Sequence, residues 1–520
     1  MRKIILSNPI LTILPTLALI PVLGGVIIGI HPEGIPLLLK FLTASVHPST
    51  DPSVIHSAYK GLQVTIATAL LSWSLSTFGG LFLGLLSSNI FCNSFNFKGK
   101  IAIWIRRTLS IPRSIHELIW GLLLLQIFGL NPWVAILAIC IPYSCLLARV
   151  FSDQLDNLDP SSLIAMRQSG SGAINALTTA LLPPMIPVIN SYGGYRLECA
   201  LRGATMLGLF GLGGIGNELN LTLKSLEFEE MWTSLWMLGL VMFSLEAILN
   251  WWRRYPASPS QSERQFVIAL GIMLTTVGLS FIWLKSLDIN LISNFEWHPI
   301  NLPTITEVIN AFDELPLINL AWNTILITLL AAGIAIGTPA IGMVLWPSKL
   351  GIIVQSCIWS LLRLIPAPLS ALLFLLCTSP SIFVAALALG LQNLGVMGRL
   401  LKEGVSRQSD NIYIGLQSSG SSNRIAWLYG QLSPQSSKYL AYSAYRTDVL
   451  MRETAVVGVV GGVGLGWQLQ ESLSSFNWAQ VLLVTSAYST LTLIGETMSE
   501  NSRQIFLKPA KKNDQSSFEI

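Results

Sequence analysis

The chain has 520 residues, 52% of them hydrophobic and 11% charged, with a formal net charge of +4 and a mean hydropathy of +0.60. Too little polar surface remains to solvate a globular domain of that size, so most of the chain must face lipid and the soluble classes are excluded. The Lys and Arg residues flank apolar runs instead of clustering, which describes membrane topology and excludes a nucleic-acid partner.

In chain order, Met1-Arg2-Lys3 and the apolar run from Ile10 to Ile30 have the layout of a signal peptide. No small-x-small cleavage site ends the run, so an uncleaved first spanning helix is expected. A spanning helix needs about 20 mostly apolar residues. Such runs lie near 9–30, 61–87, 115–130, 133–150, 186–212 and 231–251, and again near 266–284, 320–346, 351–377, 381–400, 437–462 and 478–496. The expected fold is therefore an all-α polytopic membrane protein with about 12 transmembrane helices. Between the two sets, Tyr255-Pro-Ala-Ser-Pro-Ser-Gln-Ser-Glu-Arg264 is polar and rich in Pro and Ser, as a linker should be. It divides the chain into a first repeat over 1–254, a cytoplasmic linker over 255–265 and a second repeat over 266–520.

Basic residues fall in alternate loops: Arg2 and Lys3, Lys98 to Arg107, Arg149 and Arg167, Arg253 and Arg254, Arg399 to Arg424, and Arg503 to Lys512. The positive-inside rule makes those loops and both termini cytoplasmic. Acids mark the opposite side, among them Glu33, Glu227, Glu229, Glu230 and the segment with Asp288, Glu296, Glu307, Asp313 and Glu314. The long segments 31–58 and 285–319 on that side, with Trp297 and His298, read either as a ledge for a docking protein or as plain interfacial loops.

A constant offset of 250 relates the halves. It pairs Tyr195 with Tyr445, Arg196 with Arg446, Arg202 with Arg452, Gly208 with Gly458, Gly211 with Gly461, Gly214 with Gly464 and Gly216 with Gly466. Upstream it pairs Arg113 with Arg363, Gly170 with Gly420 and Pro184 with Pro434. An even number of spans per half makes the copies parallel repeats, with a pathway expected at their interface.

Two cytoplasmic stretches share a turn-like pattern. Ile164-Ala165-Met-Arg-Gln-Ser-Gly170 runs on to Pro183-Pro184, and Ile414-Gly415-Leu-Gln-Ser-Ser-Gly420 runs on to Pro434. Each reads as a compact loop whose glycine closes a turn, either a lever for a partner or an ordinary connection between spans. Arginines inside spanning helices face a bundle interior or a wet cavity, so Arg196, Arg202, Arg446 and Arg452 mark a candidate pathway. Glu198 lies four residues before Arg202 and Asp448 four before Arg452, so each could equally be an intrahelical ion pair. The roles are compatible, because an oriented guanidinium keeps donors for an oxyanion.

Gly211-Leu-Gly-Gly-Ile-Gly216 satisfies a GxGxxG pattern, but it follows a spanning helix and its copy has Val463 in place of Gly213. The expected roles for Gly208, Gly211, Gly214, Gly216 and their copies Gly458, Gly461, Gly464 and Gly466 are close helix approach or a bend, hence candidate gates. No GxxxxGK[ST] occurs, so ATP, if used, is bound by another polypeptide. The five histidines are isolated and no HExxH is present, which leaves neither a metal site nor a catalytic set, and no cofactor is expected. His116 beside Glu117 is a proton-relay candidate or a helix start; its copy is Pro366-Ala367. The six cysteines lack CxxC spacing and read as packing residues.

The stretch from Tyr195 to Gly216 is similar to the signature of phosphonate-type permeases of ABC importers, and Arg113-Ser-Ile-His-Glu117-Leu-Ile-Trp-Gly-Leu122 resembles that family's third helix. The loops at Gly170 and Gly420 resemble the family's EAA loop, with Ile164 and Ile414 where that pattern has Glu. The resemblance implies a bacterial inner-membrane permease for a small phosphorus oxyanion (phosphonate, phosphite or phosphate), without enzymatic activity. Its implied partners are two ATP-binding subunits on the cytoplasmic loops, an extracytoplasmic solute-binding protein and membrane lipid. The alternative is a 12-helix secondary transporter of the major facilitator type, which would need no ATPase and would carry a long loop between its halves.

Overall fold

The computed structural model describes residues 9–94, 100–253, 262–287, 289, 291 and 303–507. The chain termini, including Arg2 and Lys3, most of the linker at 255–261, Lys98, and the segment bearing Asp288, Glu296, Trp297 and His298 lie outside the described residues. Among the described residues the structure is helical, with a lone bridge between Ile30 and Thr378 as the extended pairing. Lipid offers no hydrogen bonds to a backbone, so long apolar sequence closes its bonds within helices.

Among the described residues, seven helices are long and apolar enough to cross a membrane: Ile10–Ile28, Pro52–Leu86, Pro132–Asp156, Phe228–Trp251, Leu317–Leu345, Ile382–Ser406 and Trp478–Phe506. The number rises to nine if each of two bent pairs is one span. Several of the 12 apolar runs are short, bent or charged helices that fall below this length-and-composition test. The run at 115–130 is the short helix Glu117–Phe128, and the run at 351–377 breaks by 86° between Lys349–Leu364 and Ala367–Leu375. The apolar part of the helix at 266–284 is likewise short, Leu270–Ser286. Ser433–Gly461 is a 29-residue helix that carries Lys438, Arg446, Asp448, Arg452 and Glu453, too many charges for an apolar span.

The helix starts keep the 250-residue offset. Pro132–Asp156 corresponds to Ile382–Ser406, Ser161–Gln168 to Asn411–Ser418, Ala173–Ala180 to Asn423–Trp427, and Phe228–Arg253 to Trp478–Leu507. Compactness follows another division. One unit comprises residues 39–308 and 472–485, the other residues 9–38, 309–471 and 486–507. The first helix of each sequence half thus lies in the unit built mainly from the opposite half.

In the second of these units, Ile10–Ile28 packs on Leu317–Leu345 because Gly333 and Gly337 leave room: a Cβ on Gly337 would lie 2.2 Å from Thr16 N, and one on Gly333 2.4 Å from Ala18 Cβ. The core around them is dominated by small side chains, Ala331, Ala332, Ala335, Ala385, Ala386 and Ala388. In lipid such contacts, not expulsion of water, hold helices together. The other face of Ile10–Ile28 exposes Leu14, Leu17, Ile20, Leu23 and Ile27, as a lipid-facing surface requires. In the first unit, Ser262–Ser286 packs on Pro52–Leu86, with Ser74 Oγ and Thr276 Oγ1 2.7 Å apart. All six cysteines are free thiols, three of them buried.

Candidate functional site

The two proposed loops have the same local construction. After Ser161–Gln168, the Gly170 N–H bonds the Arg167 carbonyl and the Ser171 N–H bonds the Met166 carbonyl, both at 3.1 Å. After Asn411–Ser418, Gly420 bonds Gln417 at 3.0 Å and Ser421 bonds Leu416 at 3.1 Å. This is a helix end closed by a left-handed residue, and φ is +88° at Gly170 and +87° at Gly420, a conformation glycine adopts without strain. Leu163 and Ala176 anchor the first loop in a core with Phe151 and Leu181. Ala426, Trp427 and Leu432 anchor the second. Ala165, Gly170, Pro184, Gly415, Gly420 and Pro434 stay exposed, and Pro183 is half-buried. Ile164 and Ile414 are about half exposed, so apolar side chains stand on both loop surfaces.

Each loop feeds a long helix, Leu182–Leu209 or Ser433–Gly461. Burial there is possible because the charges meet partners. Arg202 pairs with Glu198 at 2.8 Å and Arg452 with Asp448 at 2.5 Å, each one helical turn apart. Glu496 adds a second carboxylate 3.9 Å from Arg452.

The arginines six residues earlier are set differently. Arg196, 7% exposed, lies over the rings of Tyr192, Tyr143 and Tyr195 at 5.0, 5.2 and 5.6 Å, and it donates to Tyr192 Oη. The π faces attract the guanidinium. Tyr143 Oη in turn donates to Glu117 Oε1 at 3.2 Å. Arg446, 6% exposed, donates to Asn393 Oδ1 at 2.6 Å and to Glu453 Oε1 at 3.0 Å, while Asn393 Nδ2 closes the ring onto Glu453 Oε2 at 2.9 Å.

Tyr143, Asn393 and Glu453 were not singled out from the sequence, yet the offset of 250 pairs Tyr143 with Asn393, Gly203 with Glu453 and Glu117 with Ala367. A Cβ on Gly203 would lie 3.4 Å from Glu117 Oε1. Each half therefore keeps one carboxylate in this region, supplied by opposite helices. His116 Nδ1 accepts the Leu118 N–H at 3.2 Å and caps Glu117–Phe128, the helix-start role, while its Nε2 is 3.4 Å from Glu117 Oε2.

The glycines sort by task. Gly208 and Gly216 touch: a Cβ on Gly216 would meet Thr205 O at 2.0 Å and Leu209 N at 2.7 Å. Gly458 and Gly466 repeat the contact, with Ala455 O 2.4 Å from a Cβ on Gly466. Gly211 and Gly214 bend the chain with positive φ, as does Gly464, whereas the second copy places another such residue at Gly462 and keeps Gly461 inside the helix. The bend aims the next helix start at a hydroxyl in both halves: Ile215 N–H bonds Thr65 Oγ1 at 2.8 Å, and Leu465 N–H bonds Thr324 Oγ1 at 3.1 Å. Since Gly216 abuts backbone, Gly216→Ala is expected to lower the amount of folded chain severalfold, measured as membrane-inserted protein, while Gly211→Ala, with open space around it, costs only about 1 kcal/mol of backbone strain.

Among the described residues no group of His, Cys, Asp and Glu could hold a metal ion. Residues 80–258 match the family described as binding-protein-dependent transport system inner membrane component. The chain is 25% identical over 395 residues to the phosphate-import permease protein of Mycolicibacterium smegmatis, covering 72% of each chain. Two putative phosphite transport system permease proteins of Stutzerimonas stutzeri are also similar. One is 30% identical over 143 residues, 28% of this chain and 55% of the relative; the other is 26% identical over 216 residues, 41% and 73%. No solved structure matches.

Proposed function

We propose that this chain, which belongs through residues 80–258 to the binding-protein-dependent transport system inner membrane components, supplies both halves of the translocation path of an importer for a small phosphorus oxyanion. The observation that carries this reading is the duplicated construction of an exposed glycine-closed loop followed by a helix with buried arginines, at a constant offset of 250. The protein is a pore subunit, and hydrolysis of ATP belongs to a separate ATPase subunit. In our reading the repeats are 1–254 and 266–520 joined through 255–265, both termini are cytoplasmic, and two ATPase subunits engage the loops at Gly170 and Gly420. A solute-binding protein delivers the ligand from the other side.

The relatives' names speak of phosphate and phosphite, and the guanidinium fork of an arginine suits such oxyanions. Closure of the ATPase pair would move both loops together and rock the helices that bear Arg202 and Arg452, with the glycine contacts at Gly208 and Gly458 as the points that yield. Where related loops carry Glu, Ile164 and Ile414 offer the ATPase an apolar surface, so the contact depends less on salt than an ionic one would.

Two measurements test this. The purified chain is expected to hydrolyse no ATP until an ATPase subunit is added; hydrolysis by the chain alone overturns the reading. Gly170→Val and Gly420→Val strain a left-handed residue without a steric clash, since nothing lies within 4 Å of either Cβ position. Each is expected to lower transport about tenfold through a distorted loop, at near-normal membrane levels. Unchanged uptake in both variants removes the loops from the coupling role.

A further inference from the structure

At the end of Pro52–Leu86 remote from the Gly170 loop, a cavity of about 280 Å³ is lined by Ser53, Ser57, Glu218, Thr222, Glu230 and Ser234. Its position follows from helix length: 35 residues at 1.5 Å each span about 50 Å. The far end of that helix reaches Ser88, whose hydroxyl bonds Asp156 at 2.7 Å, where the chain turns toward the Gly170 loop. Cavity and loop thus lie on opposite sides of the membrane.

The cavity is built, not incidental. Thr233 Oγ1 donates to Ser49 O at 2.7 Å and Trp232 Nε1 to Phe41 O at 2.7 Å, so the entering chain is tied to the helix that supplies Glu230. Thr65 fixes the start of the helix that supplies Glu218. Glu218 and Glu230 sit in first turns of helices, where the backbone dipole favours a negative side chain, and among the described residues neither has an ion-pair partner. Ser234 lines the same cavity at 2% exposure, and among the described residues its hydroxyl makes no hydrogen bond. The hydroxyl opens onto the cavity, so its donor and acceptor are free for a ligand's polar group.

The second repeat lacks this chemistry. At the offset of 250, Glu218 becomes Gln468, Glu230 becomes Gln480 and Ser234 becomes Val484, and Ser472 Oγ already bonds Gln480 Oε1 at 3.2 Å. Both carboxylates have become neutral amides on one side only.

We propose that this cavity is an anionic socket that takes a Lys or Arg side chain of the extracytoplasmic solute-binding protein, an assignment that rests on the importer reading above. Two carboxylates ringed by hydroxyl acceptors satisfy a group with several N–H donors. A bare metal ion would need oxygens converging within about 2.5 Å, far tighter than this space. Because only one repeat carries the socket, a binding protein meets two unlike docking faces and is held in a single orientation.

The test uses the full chain. In right-side-out vesicles, Ser57→Cys at the mouth is treated with membrane-impermeant methanethiosulfonates, one cationic and one anionic, and residue 57 is followed by peptide mass spectrometry. The cationic reagent is expected to react at least about tenfold faster, and the preference is expected to vanish in Glu218→Gln/Glu230→Gln. Equal rates in Ser57→Cys with both glutamates present, or labelling only from the other side, overturn the proposal. With ATPase subunits and the binding protein in proteoliposomes, the double Gln variant should need about tenfold more binding protein for half-maximal ATPase stimulation, with an unchanged maximum. A Glu230→Lys chain should be restored by a binding protein with one docking Lys or Arg changed to Glu. Unchanged stimulation in the double variant overturns the socket alone. Absence of stimulation in the unaltered chain overturns the importer reading and the socket with it.

Discussion

Arg446→Gln is expected to lower the stability of the purified chain by about 2–3 kcal/mol, somewhat below the cost of breaking a fully buried ion pair because the Glu453 carboxylate it leaves is only partly buried. Arg446, Asn393 and Glu453 form a closed ring in which every bond is between 2.6 and 3.0 Å. Glu453→Gln, which strands the guanidinium, should cost a similar amount. The double change Arg446→Gln/Glu453→Gln leaves only neutral, hydrogen-bonding groups and should recover about 2 kcal/mol relative to the sum of the singles. Thermal unfolding of the four proteins in one detergent measures the cycle. Additive losses would mean that the ring is not the unit that holds these helices. A second check follows from the opposite placement of the acids. Glu117→Ala with Gly203→Glu rebuilds in the first half the arrangement of the second, and it should be better tolerated than Glu117→Ala alone if one carboxylate per half is what the packing requires.

How much of this the sequence discloses depends on whether a feature is local or relational. Most helix positions were legible, because apolar runs are properties of the string itself, as is the constant offset. Helix pairs such as Pro132–Asp156 and Ile382–Ser406 start at that offset. The intrahelical pairs of Arg202 and Arg452 were legible too, since a spacing of four fixes the geometry. The cross-helix partners of Arg196 and Arg446 were not. Tyr143 and Asn393 lie more than 50 residues away on another helix, and nothing local to either position marks it as a contact. Which runs would be charged or bent was not legible for a related reason: in Ser433–Gly461 Arg446 pairs with Glu453 and Arg452 with Asp448, and the 86° break before Ala367 depends on tertiary packing. The exchange of first helices between units was also beyond reach, since an apolar helix with a lipid-facing side does not state which neighbour it joins.

Uptake by Arg202→Gln and Arg452→Gln variants is expected to fall by at least about a hundredfold, and the cause can be separated from folding. Were these arginines only structural, each would serve Glu198 or Asp448, and removing both charges, as in Glu198→Gln/Arg202→Gln, would be milder than removing one. Contact with the passing anion predicts the opposite: the double variant inserts normally yet still fails to transport. Arg202→Lys gives a third reading. An ammonium can keep the ion pair with Glu198 and thus the helix, but it lacks the planar fork that leaves donors for an oxyanion, so membrane levels should hold while uptake falls. Arg452 should be the less forgiving of the two to lose, because Asp448 and Glu496 would both remain without it. The decisive comparison is uptake of labelled phosphate, phosphite and a phosphonate by each variant, normalised to the amount of chain in the membrane. Near-normal transport by Glu198→Gln/Arg202→Gln would assign the arginine to packing and leave the translocation path to other residues.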